Sequence, residues 1–302
     1  MKYLAPALLG LSLAACDSDL LSGVSTPTEF APDVQATSIE AHIRFLASDY
    51  LAGRDTGSDG YEIAANYVAS QMRLLGLEPA GDDGSYFADV PLQEIVADRT
   101  FNNFTLNGTT YDQGDGVYVA INPNVLESEI TGELVFVGLG VSAPNRGHDD
   151  YADIDVEGKI VVIMGGVPDG LPSEERAHHQ SGTTKRNVAA AHGAIGMINL
   201  TGWAEGQAQA WVDGGASRPS VRLTAASGET GYDSVTVSAS IDAALSAALF
   251  EGAEMSLEDV QTAMADEENA TYPRFALPHT VTMRQRTLSE GFIDPNVVVY
   301  VV

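Results

Sequence analysis

Apolar positions in the first quarter of the chain recur every three to four residues. Ile39, Ile43, Leu46 and Tyr50 share one face of a helix predicted over 38–52, with Thr37 and Glu40 spaced as a capping box. Tyr61, Ala64, Ala65, Val68, Met72 and Leu75 repeat the pattern over 59–75, Gly76 marks the stop, and 54–58 form the break between the two helices. Each stripe needs a surface to cover. Beyond a turn at 81–85 the period changes to two. Residues 86–94 alternate as a strand, and short runs at 104–110 and 116–121 predict more, with Asn107-Gly108 as the turn of a hairpin.

From Gly132 the texture is that of a separate α/β unit. Residues 134–137 and 159–164 are continuous apolar runs, the mark of strands buried on both faces; a short alanine-rich helix over 185–192 precedes a strand over 194–200. Val235-Thr236-Val237 leads into a helix over 241–250. Another follows over 256–264, with Ser256 and Asp259 as a capping box, and 280–285 alternates as a strand. No internal repeat or low-complexity tract interrupts this. The fold class is therefore α/β with an α+β portion: N-terminal helices and strands beside a compact α/β unit. At the end, Asp294-Pro295-Asn296 reads as a turn, and 297–302, five valines and one tyrosine, as a strand buried on both faces. Burying that run is worth roughly 8–15 kcal/mol as an upper bound. Such a strand is expected to belong inside a sheet larger than this sequence supplies.

Composition narrows the classes. Of 302 residues 44% are hydrophobic, enough for about two packed units; 15 Lys and Arg stand against 42 Asp and Glu, a net charge of −27. The acids are spread, as on a solvated surface, and would repel phosphate backbones, so no nucleic-acid partner is expected. Cys16 is the one cysteine. It follows Leu13-Ala14-Ala15, an apolar stretch over 4–13 too short to span a bilayer, and Lys2. This segment resembles the lipobox of bacterial lipoproteins, which implies cleavage before Cys16 and its acylation. The lipid would be the only membrane attachment. The protein is then expected at the cell envelope, facing the periplasm or the exterior. Asp17 would in some bacteria favour retention at the inner membrane. Residues 17–36, rich in Ser, Thr, Pro and Asp, read as a flexible tether. The sequons at Asn103, Asn107, Asn199 and Asn269 are read as chance occurrences in a bacterial lipoprotein.

Residues 42–92, with Leu46-Ala47-Ser48-Asp49, Leu51-x-Gly53-Arg54, Gly76-Leu77 and Pro79-x-Gly81, resemble the N-terminal segment of bacterial di-zinc aminopeptidases of the aminopeptidase Y-like family. Residues 132–144, Asp149-Asp150-Tyr151, 156–166 and 187–198 are similar to a protease-associated (PA) domain, which such enzymes carry as an insert. Asn296-Val297-Val298 resembles the first strand of their catalytic core. The resemblance implies a signal peptide over 1–16, the tether over 17–36, a peptidase segment over 37–127, a PA insert over 128–287 and the first core strand over 288–302. It also implies peptide or protein substrates and, for the whole enzyme, two zinc ions. The alternative is a stand-alone PA-domain lipoprotein that binds a partner without catalysis.

The family's zinc ligands come from a His-x-Asp motif, a later Asp, a Glu-Glu pair, an Asp and a distant His, all downstream of that first core strand. No catalytic or metal-binding residue, and no bound zinc, is therefore expected within this chain, and by itself it is expected to be inactive. A superficially similar set exists: His148-Asp149-Asp150, Glu174-Glu175, and His178, His179, His192 and His279. It is rejected because His148 lies in a PA-domain loop and Glu174 in a Pro-Ser loop. His42 and His192 are read as helix histidines, His178-His179 as an adjacent pair open to adventitious metal binding, and Trp203 and Trp211 as loop aromatics. Neither a Gly-x-Ser-x-Gly elbow nor a phosphate-loop motif occurs; Gly138-x-Gly140 and Gly165-Gly166 lack the spacing.

Overall fold

The first helix is shorter than its apolar spacing predicts. In the computed structural model, which describes residues 35–216, 218–224, 234–265 and 272–300, α1 is Ala36–Leu46. Its N-cap is Gln35, so Thr37 lies inside the helix and makes no capping box; Glu40 accepts from Arg44 instead, 2.8 Å away. A separate 3₁₀ turn, Asp49–Leu51, follows, and Ala52 and Gly53 end it at φ 48° and 91°. No residue of α1 is buried, and Ile39, Ile43 and Phe45 are exposed. Among the described residues, those up to Gly53 form one compact unit and those from Arg54 onward a second.

In the second unit, α2 (Asp59–Leu74) starts where Ser58 Oγ accepts the Tyr61 N–H. It ends in a Schellman turn around Gly76 at φ 75°, with Leu77 N–H on Met72 O and Gly76 N–H on Arg73 O. Then come β1 (Glu78–Pro79), β2 (Phe87–Ala97), β3 (Asn103–Leu106), β4 (Thr109–Asp112), β5 (Val117–Val119) and β6 (Glu127–Val137). The predicted hairpin turn is present, since Asn107 and Gly108 both take positive φ as a type I′ turn requires. Next are β7 (Ser142–Ala143), β8 (His148–Asp149), β9 (Ile160–Met164), α3 (Ser173–Gln180), α4 (Gly182–Ala191) and β10 (Gly196–Leu200). The series closes with α5 (Gln207–Trp211), β11 (Ser220–Leu223), β12 (Val237–Ile241), α6 (Ala243–Leu249), α7 (Leu257–Met264), β13 (Arg274–Val297) and β14 (Val299–Tyr300). Ile241 is strand and not helix, because Asp242 caps α6 by accepting the Leu245 N–H. Ser256 caps α7 as read.

The mixed sheet runs β11-β2-β13-β6-β9-β10-β12-β5, with β3 and β4 attached to β13. Within it β6, β9, β10 and β12 are mutually parallel. Their continuous apolar runs have the predicted cause. Leu134, Phe136, Ile160 and Val162 face one core with Leu245, Leu249, Phe250 and Val260; Val135, Val137, Val161 and Ile163 face another with Ala189 of α4. Phe136 sits within 5.5 Å of Phe250 and 5.7 Å of Phe275, ring centre to ring centre.

The strand predicted over 280–285 is far longer. β13 pairs first with β6, bulges between Leu277 and Thr280 at Pro278, and then pairs with β2 as far as Val297. The expected turn at Asp294-Pro295-Asn296 is therefore strand. Asp294 accepts the Gly57 N–H at 2.8 Å, the Tyr61 hydroxyl donates to Pro295 O at 3.0 Å, and β2 is the paired neighbour on one side only, where proline is tolerated. Val297, Val298 and Val299 are half-buried, not buried on both faces, since β2 and the two-residue β1 are their described neighbours along one edge. Residues 301–302 lie outside the described residues. Strands β1 and β2, which precede the α/β unit, thus pair with 287–300, which follow it, and the unit is looped out between them.

Candidate functional site

Beyond the carboxyl end of β6, Gly138 and Gly140 turn the chain at φ 60° and 69°, and the loop returns as β7 and β8 around one buried carboxylate. Asp150 is 2% exposed. Its Oδ2 accepts the Leu139 N–H at 3.1 Å and the Val141 N–H at 2.9 Å. Its Oδ1 lies 3.0 Å from His148 Nε2, outside hydrogen-bond geometry. The His148 ring meets Tyr272 edge-on at 5.4 Å. From α4, Lys185 Nζ donates to Leu139 O and Gly166 O, both at 2.7 Å. Arg274 Nη1 donates to Asp149 O and Ala152 O and closes a cleft of about 320 Å³ lined by Pro144, His148, Asp149 and Tyr272.

Burial sets the protonation of this knot. Desolvation brings the Lys185 ammonium down from 10.5 to about 8, with Asp150 opposing. Desolvation also raises the Tyr151 hydroxyl well above its ordinary range, and Asp150 and Asp149 add to it. For Lys185 the native state penalises the protonated form. That penalty is complete below pH 8 and fades as pH rises toward 10.5, so stability should grow across this window. Compared with Lys185→Met in urea titrations, the native chain should gain up to about 3 kcal/mol between those limits. A difference between the two proteins that stays flat with pH contradicts the assignment.

The superficially similar set forms no metal site among the described residues. Glu175 is clamped by Arg146, Nε to Oε2 at 2.8 Å, which holds its carboxyl below the usual range. His192 stacks on Tyr151 at 4.4 Å and turns Nδ1 to Val188 O; His279 Nε2 meets Glu251 O. His178 and His179 touch edge to face at 5.0 Å, and burial lowers the pKa of His179. Among the described residues no three His, Cys, Asp or Glu side chains are grouped so as to hold a metal. The described residues therefore do not fit a di-zinc centre. Cys16 and Asn269 lie outside the described residues; His42 is exposed on α1.

A second cleft, of about 340 Å³, opens beside α4 on the sheet face. Gly165, Gly166 and Asn199 line it at the carboxyl ends of β9 and β10, Ser238 and Ser240 on β12, Tyr118 on β5, and Lys185 and Arg186 on α4. The α4 pairing of Lys185 with Arg186, in a chain so poor in bases, was the available signal, and sequence reading passed over it. Trp203 and Trp211 approach to 6.0 Å elsewhere, and Trp211 is half exposed.

No protein-family model matches the chain, and no curated protein does. Among solved structures it is similar to an aminopeptidase from Aneurinibacillus sp. strain AM-1, with 19% identity, a TM-score of 0.43, and 88% of this chain and 47% of that one covered. It is also similar to BSAP, a zinc aminopeptidase from Bacillus subtilis, with 15% identity, a TM-score of 0.30, and 85% and 46% covered. The chain spans about half the length of either. Likeness at this level fixes no activity.

Proposed function

We propose that the chain is the N-terminal portion of a zinc-dependent aminopeptidase, anchored through a lipid on Cys16 and tethered by 17–36, with a PA insert carried on the first elements of the peptidase fold. One observation supports the reading above others. Strands before and after the α/β unit pair directly, Glu78 with Tyr300 and Phe87 with Val297. A chain that leaves a sheet, builds a parallel α/β unit and returns to the strand it left has the topology of a host fold with an insert. The sequence blocks resembling the two parts fall on either side of that junction. In this reading the zinc ligands lie in the remainder of the enzyme, and no hydrolytic step is assigned to the residues described. Peptides are the substrates of the whole enzyme, and the insert shapes access to them.

The test is turnover. The 302-residue chain, supplied with zinc, should not cleave aminoacyl chromogenic substrates. Turnover abolished by both chelator and His148→Ala would overturn the assignment. The second reading, a stand-alone lipoprotein that captures a partner, is favoured by the basic cleft beside α4. Reading the coding DNA past Val302 separates the two: a downstream His-x-Asp and Glu-Glu core supports the first, a stop codon the second.

A further inference from the structure

We propose that the cleft between the β4–β5 turn and α6 binds the basic side chain of an arginine or lysine in a peptide, with Asp242 as its buried anionic contact. The proposal rests on the peptidase reading only in choosing a peptide as the bearer of the cation.

Asp115, in the turn between β4 and β5, Glu205, ahead of α5, and Asp242, at the start of α6, line a space of about 400 Å³. Its described lining holds no Lys, Arg or His, and none of the three carboxylates has an ion-pair partner among the described residues. With 42 acidic against 15 basic side chains an acidic surface is ordinary here and by itself marks nothing. Asp242 is different. It is 7% exposed, and its Oδ1 accepts the Leu245 N–H at 2.9 Å. Its Oδ2 has no hydrogen-bond partner among the described residues. That oxygen faces Gly116, which also lines the cleft; a methyl added at Gly116 would stand 3.0 Å from it. A buried carboxylate oxygen without a donor is costly, and a cationic donor entering the cleft would complete it.

The lining chooses the kind of cation. The three carboxylates are not grouped closely enough to hold a metal ion. Tyr111, Leu245 and Ala248 supply an apolar wall, which a bare ion does not use and the methylene stem of an arginine or lysine does. Carboxylates spread around such a wall fit a long side chain with a charged head. The net charge of −27 draws the same ligand in. Both tryptophans of the chain belong to this neighbourhood. Trp203 O accepts the Ala243 N–H at 3.0 Å, one residue from Asp242, and the Trp203 and Trp211 rings approach to 6.0 Å. Trp211 is 53% exposed and offers a cation an aromatic face. All tryptophan fluorescence of the chain therefore comes from beside this cleft.

The experiment titrates the whole 302-residue chain, by calorimetry and tryptophan fluorescence at fixed ionic strength, with N-acetyl-arginine amide, N-acetyl-lysine amide, the neutral isostere N-acetyl-citrulline amide and magnesium chloride. A basic probe should bind saturably and change the tryptophan emission, and the tighter of the two names the residue. Citrulline should bind about tenfold or more weakly, since it loses the charge-assisted pair. Asp242→Asn keeps the helix cap, because asparagine caps as well as aspartate, and should weaken the basic probe about tenfold. Glu205→Gln should weaken it about threefold. Glu174→Gln, which removes the same charge from an exposed position outside the cleft, should leave it unchanged. Should Asp242→Asn fail to fold, Glu205→Gln and the ratio of arginine to citrulline carry the test. Citrulline bound as tightly as arginine, no saturable binding of either cation, binding that leaves the emission unchanged, or full affinity in a folded Asp242→Asn variant each overturns the proposal. Equal weakening by Glu174→Gln reduces the effect to net charge and overturns it too, and magnesium bound more tightly than the basic probes overturns the ligand class. The readout is binding, so failure here leaves the peptidase reading intact, and turnover in the zinc assay leaves this site untouched.

Discussion

Asp150→Ala should lower the unfolding free energy by about 3–5 kcal/mol, the range for breaking a buried charge cluster from one side. The carboxylate is 2% exposed and holds the Leu139 and Val141 amides. Without it two buried N–H groups lose their acceptor, at about 1–3 kcal/mol each when nothing replaces it. Lys185 also loses the one charge named as opposing its desolvation, so its pKa should fall below the present value of about 8. Asp150→Asn keeps an acceptor oxygen and loses the charge, and should cost roughly half as much. Urea titration followed by circular dichroism measures all three effects. A loss under about 1 kcal/mol for Asp150→Ala would mean that the loop over 138–152 is held by something else.

Gly81→Ala should cost about 3 kcal/mol or more, beyond the usual range for a well-tolerated core insertion. The added methyl would stand 2.1 Å from Phe87 O and 2.4 Å from Phe87 C. These are backbone atoms of β2, so no side chain can swing aside. Phe87 is paired with Val297, and the neighbouring Tyr86 O accepts the Val298 N–H at 2.9 Å. Relief of the clash therefore has to pull apart the junction where the chain returns after the α/β unit. Hydrogen exchange should show faster exchange at the Val298 amide, and the melting temperature should fall. Gly84→Ala is the control: its methyl meets nothing within 4 Å, and the cost should be about 1 kcal/mol for its φ of 73°. Unchanged protection at Val298 in Gly81→Ala would show that the junction is looser than its geometry.

Much of the local structure was legible in the residues. Gly76 stops α2 as read, because left-handed termination depends on a few neighbouring atoms. Asn107-Gly108 forms the hairpin for the same reason. The misreadings share the opposite cause. Thr37 is a good cap in isolation, yet the helix begins two residues earlier, with Gln35 at its N-cap. Asp294-Pro295-Asn296 is a turn by propensity, and becomes strand because Gly57, Tyr61 and β2, all distant in sequence, hold it extended.

The candidate sites divide in the same way. Residue spacing offered His148-Asp149-Asp150, Glu174-Glu175, His178, His179, His192 and His279 as a metal set; in space Glu175 pairs with Arg146, His192 turns to Val188 O and His279 to Glu251 O, and among the described residues no three such side chains group to hold a metal. What the sequence by itself determined is the inventory: an acidic, well-cored α/β chain, with runs long and apolar enough for a doubly covered parallel sheet, since period and composition act through nearest neighbours. Only the tertiary structure decided that β1 and β2 meet strands 190 to 222 residues downstream, that Asp150 and Lys185 are buried in one knot, and that Arg186 faces Ser238 across a cleft. Those are contacts between segments far apart in the chain, which local propensity does not encode and which form only when the sheet assembles.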